Sequence, residues 1–368
     1  MTLSAFAFFV CGLAALIVGA EWLVRGAARL AASVGISPLV VGLTVVAFGT
    51  SSPELGVSVM SSLTGQAGIA VGNVVGSNIC NVLLILGLSA LFAPLIVARQ
   101  LIRIEVPLMV GVSFLFAFMA LDREFGRLDG ILLFGGAIVY TVWVIRRSRR
   151  ESQESKKNSS MTEGENPPAT GGVKSLAWQF CLIVAGLALL GLGANWLVDA
   201  AVTLARHFGV SDLLIGLTVV ALGTSLPELA ASVMASIRGE RDIAVGNIVG
   251  SNLFNILVVI GLTAVVAPEG VPIAETAVQF DIPVMLAVAV ACLPIFFTGH
   301  LIARWEGMLF FFYYIAYTLY LILNALQHQA LPVFTTAMVG FFLPLTGITL
   351  MVCLMRAYRQ KHTHPSHS

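Results

Sequence analysis

The sequence predicts an all-α polytopic membrane protein: two inverted five-helix repeats plus an eleventh C-terminal transmembrane helix. Three observations predict it. Of the 368 residues, 58% are hydrophobic and 11% charged, with mean hydropathy +0.94; a soluble domain carries about 25% charged residues. The chain also repeats itself. Gly42–Pro94 aligns without a gap on Gly216–Pro268, identical at 33 of 53 positions. Finally, apolar windows of about 20 residues, long enough to cross a bilayer as helices, recur along the whole chain.

The windows fall near residues 3–23, 38–63, 69–93, 104–121, 128–146, 175–198, 212–237, 243–267, 278–298, 306–326 and 332–355. The first begins MTLSAFAFFVCGLAALIVGA, without the positive n-region of a signal peptide, and is read as a span. The stretches to Ser33 and His207 lengthen the first and sixth helices. The repeat extends beyond its central phrases: EWLVRGAARLAASVGIS from Glu21 parallels NWLVDAAVTLARHFGVS from Asn195, and EVPLM from Glu105 parallels DIPVM from Asp281. The organisation is a first repeat over 1–146, a linker over 147–174, a second repeat over 175–326, an extra span within 327–355, and a tail over 356–368. Five spans per repeat bring the second copy in from the opposite face, the inverted topology of many secondary transporters.

Charge placement tests the span count. With the N-terminus outside, 17 of the 20 lysines and arginines lie on the inner face; only Arg123, Arg127 and Arg206 lie outside. Positive charge is retained on the cytoplasmic side, so the bias supports eleven spans with the C-terminus cytoplasmic. The short linker fits an inner membrane. Its polar, charged composition predicts a disordered connection, too short for a folded domain. The basic tail, with His362, His364 and His367, is expected to be solvated and unstructured.

A net charge of +1 implies no nucleic acid or other polyanion partner. The five cysteines are scattered through apolar stretches, without disulfide or metal-ligand spacing, and read as packing residues. No serine–histidine pair or zinc-ligand cluster appears, and all six histidines lie outside the repeated phrases. An enzyme is therefore disfavoured: little acid–base or nucleophilic machinery is left.

The chemistry sits in two phrases, each written twice. GTSSPE around Glu54 matches GTSLPE around Glu228, and GNVVGSNICN ending at Asn81 matches GNIVGSNLFN ending at Asn255. A carboxylate near the bilayer centre is expensive unless paired, and usually marks an ion or substrate path. No lysine or arginine lies in these segments at membrane depth, so the partner is a cation or a proton. The neighbours supply oxygen. Thr50 and Glu54, Ser77 and Asn81, Thr224 and Glu228, and Ser251 and Asn255 are all spaced i, i+4 and share helix faces; Ser51 and Ser225 widen the arcs. An oxygen-only set suits hard cations such as calcium and sodium. Pro53 and Pro227, with Gly49 and Gly223 upstream, predict broken helices whose freed carbonyls, for instance those of Ala47 and Ala221, become available. Gly42, Gly49, Gly56, Gly72, Gly76 and their partners are expected to let these helices approach closely.

GTSSPE and GTSLPE, each followed by GNxVGSNxxN, resemble the α-repeats of the calcium/cation antiporter superfamily, in its prokaryotic sodium/calcium exchanger branch. The likeness covers roughly residues 1–326. It implies ion sites among the second, third, seventh and eighth helices, with the first and sixth sliding across them. Position by position, the implied ligands are Ala47, Thr50, Ser51, Glu54, Ser77 and Asn81, then Ala221, Thr224, Ser225, Glu228, Ser251 and Asn255. Calcium would bind the two glutamates, and sodium would use them with the surrounding oxygens. Two features depart from the family. Some relatives, including potassium-dependent ones, carry aspartate at the position of Asn255, so potassium co-transport is disfavoured. The eleventh span is extra, bears no ligand-like acid and is expected to be peripheral.

The resulting expectation is sodium/calcium antiport across the inner membrane, with no resident cofactor. The ions and the lipid bilayer are the partners, and no oligomeric state is assigned. The nearest alternative is a proton/calcium antiporter of the same superfamily, disfavoured because that branch usually shows a GNxxE phrase. A cation channel is the further one.

Overall fold

The backbone of an apolar chain must satisfy its own hydrogen bonds in lipid, and helices do so within one segment. The computed structural model describes residues 3–159, 173–297 and 300–363 and is almost wholly helical. In order, the helices are α1 (Phe6–Val34), α2 (Pro38–Thr50), α3 (Ser52–Leu63), α4 (Gly68–Phe92), α5 (Leu101–Asp122), α6 (Arg127–Glu151) and α7 (Leu176–His207). Then follow α8 (212–223), α9 (Leu226–Ile237), α10 (Arg241–Val266), α11 (Ala277–Phe297), α12 (Arg304–Ala325) and α13 (Leu331–Cys353).

Among the described residues, nine helices are long and apolar enough to cross a membrane, or ten with α2 and α3 counted as one bent span. The remaining expected window, 212–237, appears as α8 followed by α9, which is too short to cross alone.

The two broken spans have the same cause. Between α2 and α3 the axis turns by 43°. The hinge is Ser51 (φ −85°, ψ 7°), and its counterpart is Ser225 (φ −87°, ψ 3°). Pro53 and Pro227 fall in the first turn of α3 and α9, where a missing N–H costs nothing. Wide π-helical turns recur at matched positions: Gly42–Val46 with Gly216–Val220, Asn81–Leu86 with Asn255–Ile260, and Leu101–Glu105 with Ala277–Asp281. Such turns are rare and concentrate at functional sites.

Helices α4 and α10 form the centre, 83% buried over their apolar stretches; for α13 the figure is zero. Outside this centre, α1 and α7 run antiparallel in close contact: a Cβ on Gly19 would lie 2.8 Å from the Gly186 carbonyl oxygen.

Four two-residue strands tie the halves together. β1 (Leu95–Ile96) pairs antiparallel with β4 (Leu301–Ile302), and β2 (Glu124–Phe125) with β3 (Val271–Pro272). Each pair takes one strand from each half, and β1 and β2 lie at opposite ends of α5. Exchanging the halves exchanges the two pairs, the pattern a twofold axis in the membrane plane generates.

Two expectations for the connections are corrected. Residues 147–159, expected within the disordered linker, continue the helix of α6 as far as Ser159, with an Arg147–Glu151 ion pair (2.8 Å) one turn apart. The helix of α13 likewise runs to Thr363, into the tail expected to be unstructured. The rest of the linker (160–172) and of the tail (364–368) lies outside the described residues.

Candidate cation site

The repeated phrases fold into α2–α3, the start of α4, α8–α9 and the start of α10, and these meet at the centre. Glu54 and Glu228 are each fully buried. Each lies in the first turn after its helix break, so the carboxylate faces the unpaired N–H groups and positive dipole of a helix start. No salt bridge reaches either carboxylate among the described residues.

Their hydrogen bonds cross between the halves. Ser51 Oγ donates to Glu228 Oε1 (2.8 Å), and Ser225 Oγ reaches Glu54 Oε1 (3.5 Å). Ser225 also meets Ser77 Oγ at 3.2 Å, and Asn255 Nδ2 donates to Ser77 Oγ at 3.1 Å. One network therefore runs from Glu54 through Ser225 and Ser77 to Asn255. Asn81 Nδ2 donates to Asn252 Oδ1 (3.2 Å), and Thr50 Oγ1 donates to Asn247 Oδ1 (3.2 Å).

The acceptors left over are the informative atoms. Glu54 Oε2, Glu228 Oε2, Asn81 Oδ1, Asn255 Oδ1 and Ser251 Oγ are buried and have no hydrogen-bond partner in the protein. A buried acceptor without a partner costs about 1–3 kcal/mol, more when charged. Five of them lie on four helices and all are oxygen, the donor type that hard cations take. Among the described residues no group of three or more His, Cys, Asp and Glu side chains offers a competing metal cluster.

The backbone carbonyls behave differently in the two halves. Ser51 N–H still caps the Ala47 carbonyl (3.0 Å), whereas Ser225 N–H bonds Leu222 (3.1 Å) and leaves Ala221. Ala47 and Thr50 are fully buried; Ala221 is exposed and Thr224 half-buried.

Sequence reasoning missed the supporting amides. Asn73 Nδ2 donates to Ser58 Oγ (3.0 Å) and to the Glu54 carbonyl (3.2 Å), and Asn247 Nδ2 donates to Ser232 Oγ (2.9 Å). Asn78 Oδ1 accepts from Asn255 (3.0 Å). The signal was present: Asn73, Asn78, Asn247 and Asn252 occur in both copies of the second phrase, and Asn73 and Asn247 lie one turn before Ser77 and Ser251. The glycine expectation holds in part. Gly42 packs against Ile243, and Gly246 and Gly250 pack against α2, while Gly56, Gly72, Gly76 and Gly216 face open space.

Residues 4–146 and 178–323 match the family model described as sodium/calcium exchanger protein. The chain is 40% identical over 288 residues to the putative antiporter CaxA of Alkalimonas amylolytica, covering 78% of this chain and 88% of the relative. It is 39% identical over 288 residues to the inner membrane protein YrbG of Escherichia coli, covering 78% and 87%. Its fold matches a solved structure of the sodium-calcium exchanger NCX_Mj, soaked with zero Na+ and Ca2+, with a TM-score of 0.72 and 31% identity over 86% of this chain and 98% of that one. The family match covers both halves and more than half of the chain, and it leads to one conclusion: the chain belongs to the sodium/calcium exchanger protein family.

Proposed function

We propose that this multi-pass membrane protein exchanges sodium for calcium by alternating access. The observation that carries the reading is the set of five buried, unpartnered oxygens around Glu54 and Glu228. Two carboxylates balance one calcium ion or two sodium ions, so both cargoes compete for one site. Mutually exclusive occupancy couples the fluxes without contact between the ions, and closure that depends on which ion is bound completes the coupling. The ligands on this reading are Ala47, Thr50, Ser51, Glu54, Ser77 and Asn81 with Ala221, Thr224, Ser225, Glu228, Ser251 and Asn255. The ions are cargo; no catalytic role and no resident cofactor is assigned. The inner-face excess of arginine and lysine supports an inner-membrane protein with the N-terminus outside and the C-terminus cytoplasmic.

Calcium flux into vesicles, driven in turn by sodium, potassium and proton gradients, tests the reading. A sodium gradient is expected to drive it. Uptake driven by pH alone would make the protein a proton/calcium antiporter. Glu54→Gln and Glu228→Gln are each expected to abolish flux, at least about a hundredfold for a lost charged ligand at a buried site. Normal flux in either variant would sink the site assignment.

A further inference from the structure

Beside the membrane face where the linker leaves α6, α1 and α7 enclose a groove of about 440 Å³. It is lined by Trp22, Arg25 and Arg29 of α1 and by Trp178, Cys181 and Leu182 of α7. Its walls fall into two parts. Cys181, Leu182 and the indoles are apolar. The arginines stand one and two turns further toward the end of α1, and such side chains bury their stems along apolar surface while the charged heads stay at the polar boundary. Trp22 and Trp178 are both exposed, 39% and 60%, and tryptophan favours the headgroup level of a bilayer.

The charges do not balance. Glu21 pairs with Arg25 and with Arg238 at the end of α9. No hydrogen bond or ion pair engages the Arg29 guanidinium among the described residues; only its carbonyl is used, by Ser33. The lining holds two arginines and no carboxylate of its own: Arg25 shares Glu21 with Arg238 and Arg29 has no acid partner, which leaves positive charges unbalanced beside an apolar groove. A neutral acyl chain alone would leave them unanswered. A soluble anion would leave the apolar wall uncovered.

We propose that this groove holds an anionic phospholipid, its phosphate between Arg25 and Arg29 and one acyl chain along Cys181, Leu182 and Trp178. The site is separate from the buried carboxylates and independent of which ions they carry.

The test is native mass spectrometry of the purified full-length chain, equilibrated with equal amounts of phosphatidylglycerol and phosphatidylcholine. Wild type is expected to retain phosphatidylglycerol preferentially. Arg29→Gln is expected to reduce that preference roughly fivefold, as one basic residue at a membrane surface contributes, and Arg29→Lys to restore most of it. Arg149→Gln, an exposed arginine near the same face outside the groove, is expected to leave the preference unchanged. Three results would overturn the proposal: equal retention of both lipids by wild type, an equal loss in Arg149→Gln, or displacement of the bound lipid by millimolar inorganic phosphate. Arg29 is exposed and unpaired, so its variants are expected to elute as wild type on size exclusion.

Discussion

The two halves carry nearly the same words and are packed differently. On the linker side, α2 lies hard against α10. A Cβ on Gly42 would come 2.8 Å from the Ile243 carbonyl oxygen, one on Gly246 2.7 Å from Leu39, and one on Gly250 2.6 Å from Leu43. That this is the linker side follows from Ser37 N–H, which donates to Ser148 Oγ on the helix leading into the linker (3.0 Å). The matched glycine contacts of α8 with α4 are not made: Gly216, Gly72 and Gly76 have nothing within 4 Å of an added Cβ. The polar contacts follow the same asymmetry. Thr50 bonds Asn247, while among the described residues no bond joins Thr224 to Asn73. Ser51 holds Glu228 at 2.8 Å, but Ser225 holds Glu54 at 3.5 Å. One half is sealed at the linker face and its twin is open at the other. Near-identical sequences can exchange these roles at small net energy, which is what the proposed exchange requires of a bistable element.

Glycine variants break the comparison most directly. Gly250→Ala meets backbone that cannot move aside, so it is expected to lower stability by about 1–3 kcal/mol, the range for overpacking. Gly76→Ala meets nothing in this arrangement and is expected to leave stability within about 1 kcal/mol or raise it slightly, since alanine favours helix. Both should slow exchange about tenfold or more, because each blocks one of the two packings by an ångström-scale clash. Thermal unfolding and vesicle flux on the two variants separate the effects. If Gly76→Ala exchanged at the wild-type rate, α8 would never take up the packing seen for α2.

This asymmetry could not have been read from the sequence. Thr50 and Thr224 stand in near-identical phrases, and it is the packing of α2 and α8 that sets them apart. What could be read was the set of oxygen donors: Ser77 with Asn81, and Ser251 with Asn255, keep the i, i+4 spacing of one helix face, whereas the breaks at Ser51 and Ser225 fall between Thr50 and Glu54 and between Thr224 and Glu228. The breaks were legible too: a proline two residues after Gly-Thr-Ser can end one helix and open another. The second layer of amides is harder to read, because none of them neighbours a glutamate in the sequence. Asn247 acts one step away, through Ser232 and Thr50. The linker was misread for a different reason. RRSRRESQESKK has the polarity of a disordered segment but also strong helix formers and an ion pair at i, i+4, so α6 continues into it.

The amides sharpen the comparison at smaller cost. Asn247 is buried and serves both Ser232 and Thr50. Asn247→Ala removes the partner of the buried Ser232 hydroxyl and leaves Thr50 only its 3.5 Å bond to the Ala47 carbonyl, an expected loss of about 1–3 kcal/mol. Asn73 is half-buried on the open side, where water can replace it, so Asn73→Ala is expected to cost about 1 kcal/mol or less. Calcium half-saturation in the flux assay should rise several-fold for Asn247→Ala and by less for Asn73→Ala. Equal effects would mean that the two halves spend equal time sealed, and that the asymmetry is one frame of a balanced cycle.

The smallest effect is expected from α13, which has no counterpart in either half. None of its apolar stretch is buried. Its polar attachment is Tyr313 of α12, whose hydroxyl donates to the Phe342 carbonyl (3.1 Å) and meets Thr346 Oγ1 (2.5 Å). Between α13 and the core lies an apolar cavity of about 470 Å³, lined in part by Phe280, Tyr317 and Leu343. Loose packing of this kind contributes little in lipid, where acyl chains are as apolar as the side chains they replace. Deleting residues 331–368 opens the cavity to lipid without touching Glu54, Glu228 or the glycine contacts of α2 and α10. Sodium-driven calcium flux in the truncated protein is therefore expected to stay within about twofold of wild type, since no bonded or packed group of the site is lost. A larger loss would mean that α12, through Tyr313, carries strain from α13 into the core, and that the two halves are not the whole of the moving machine.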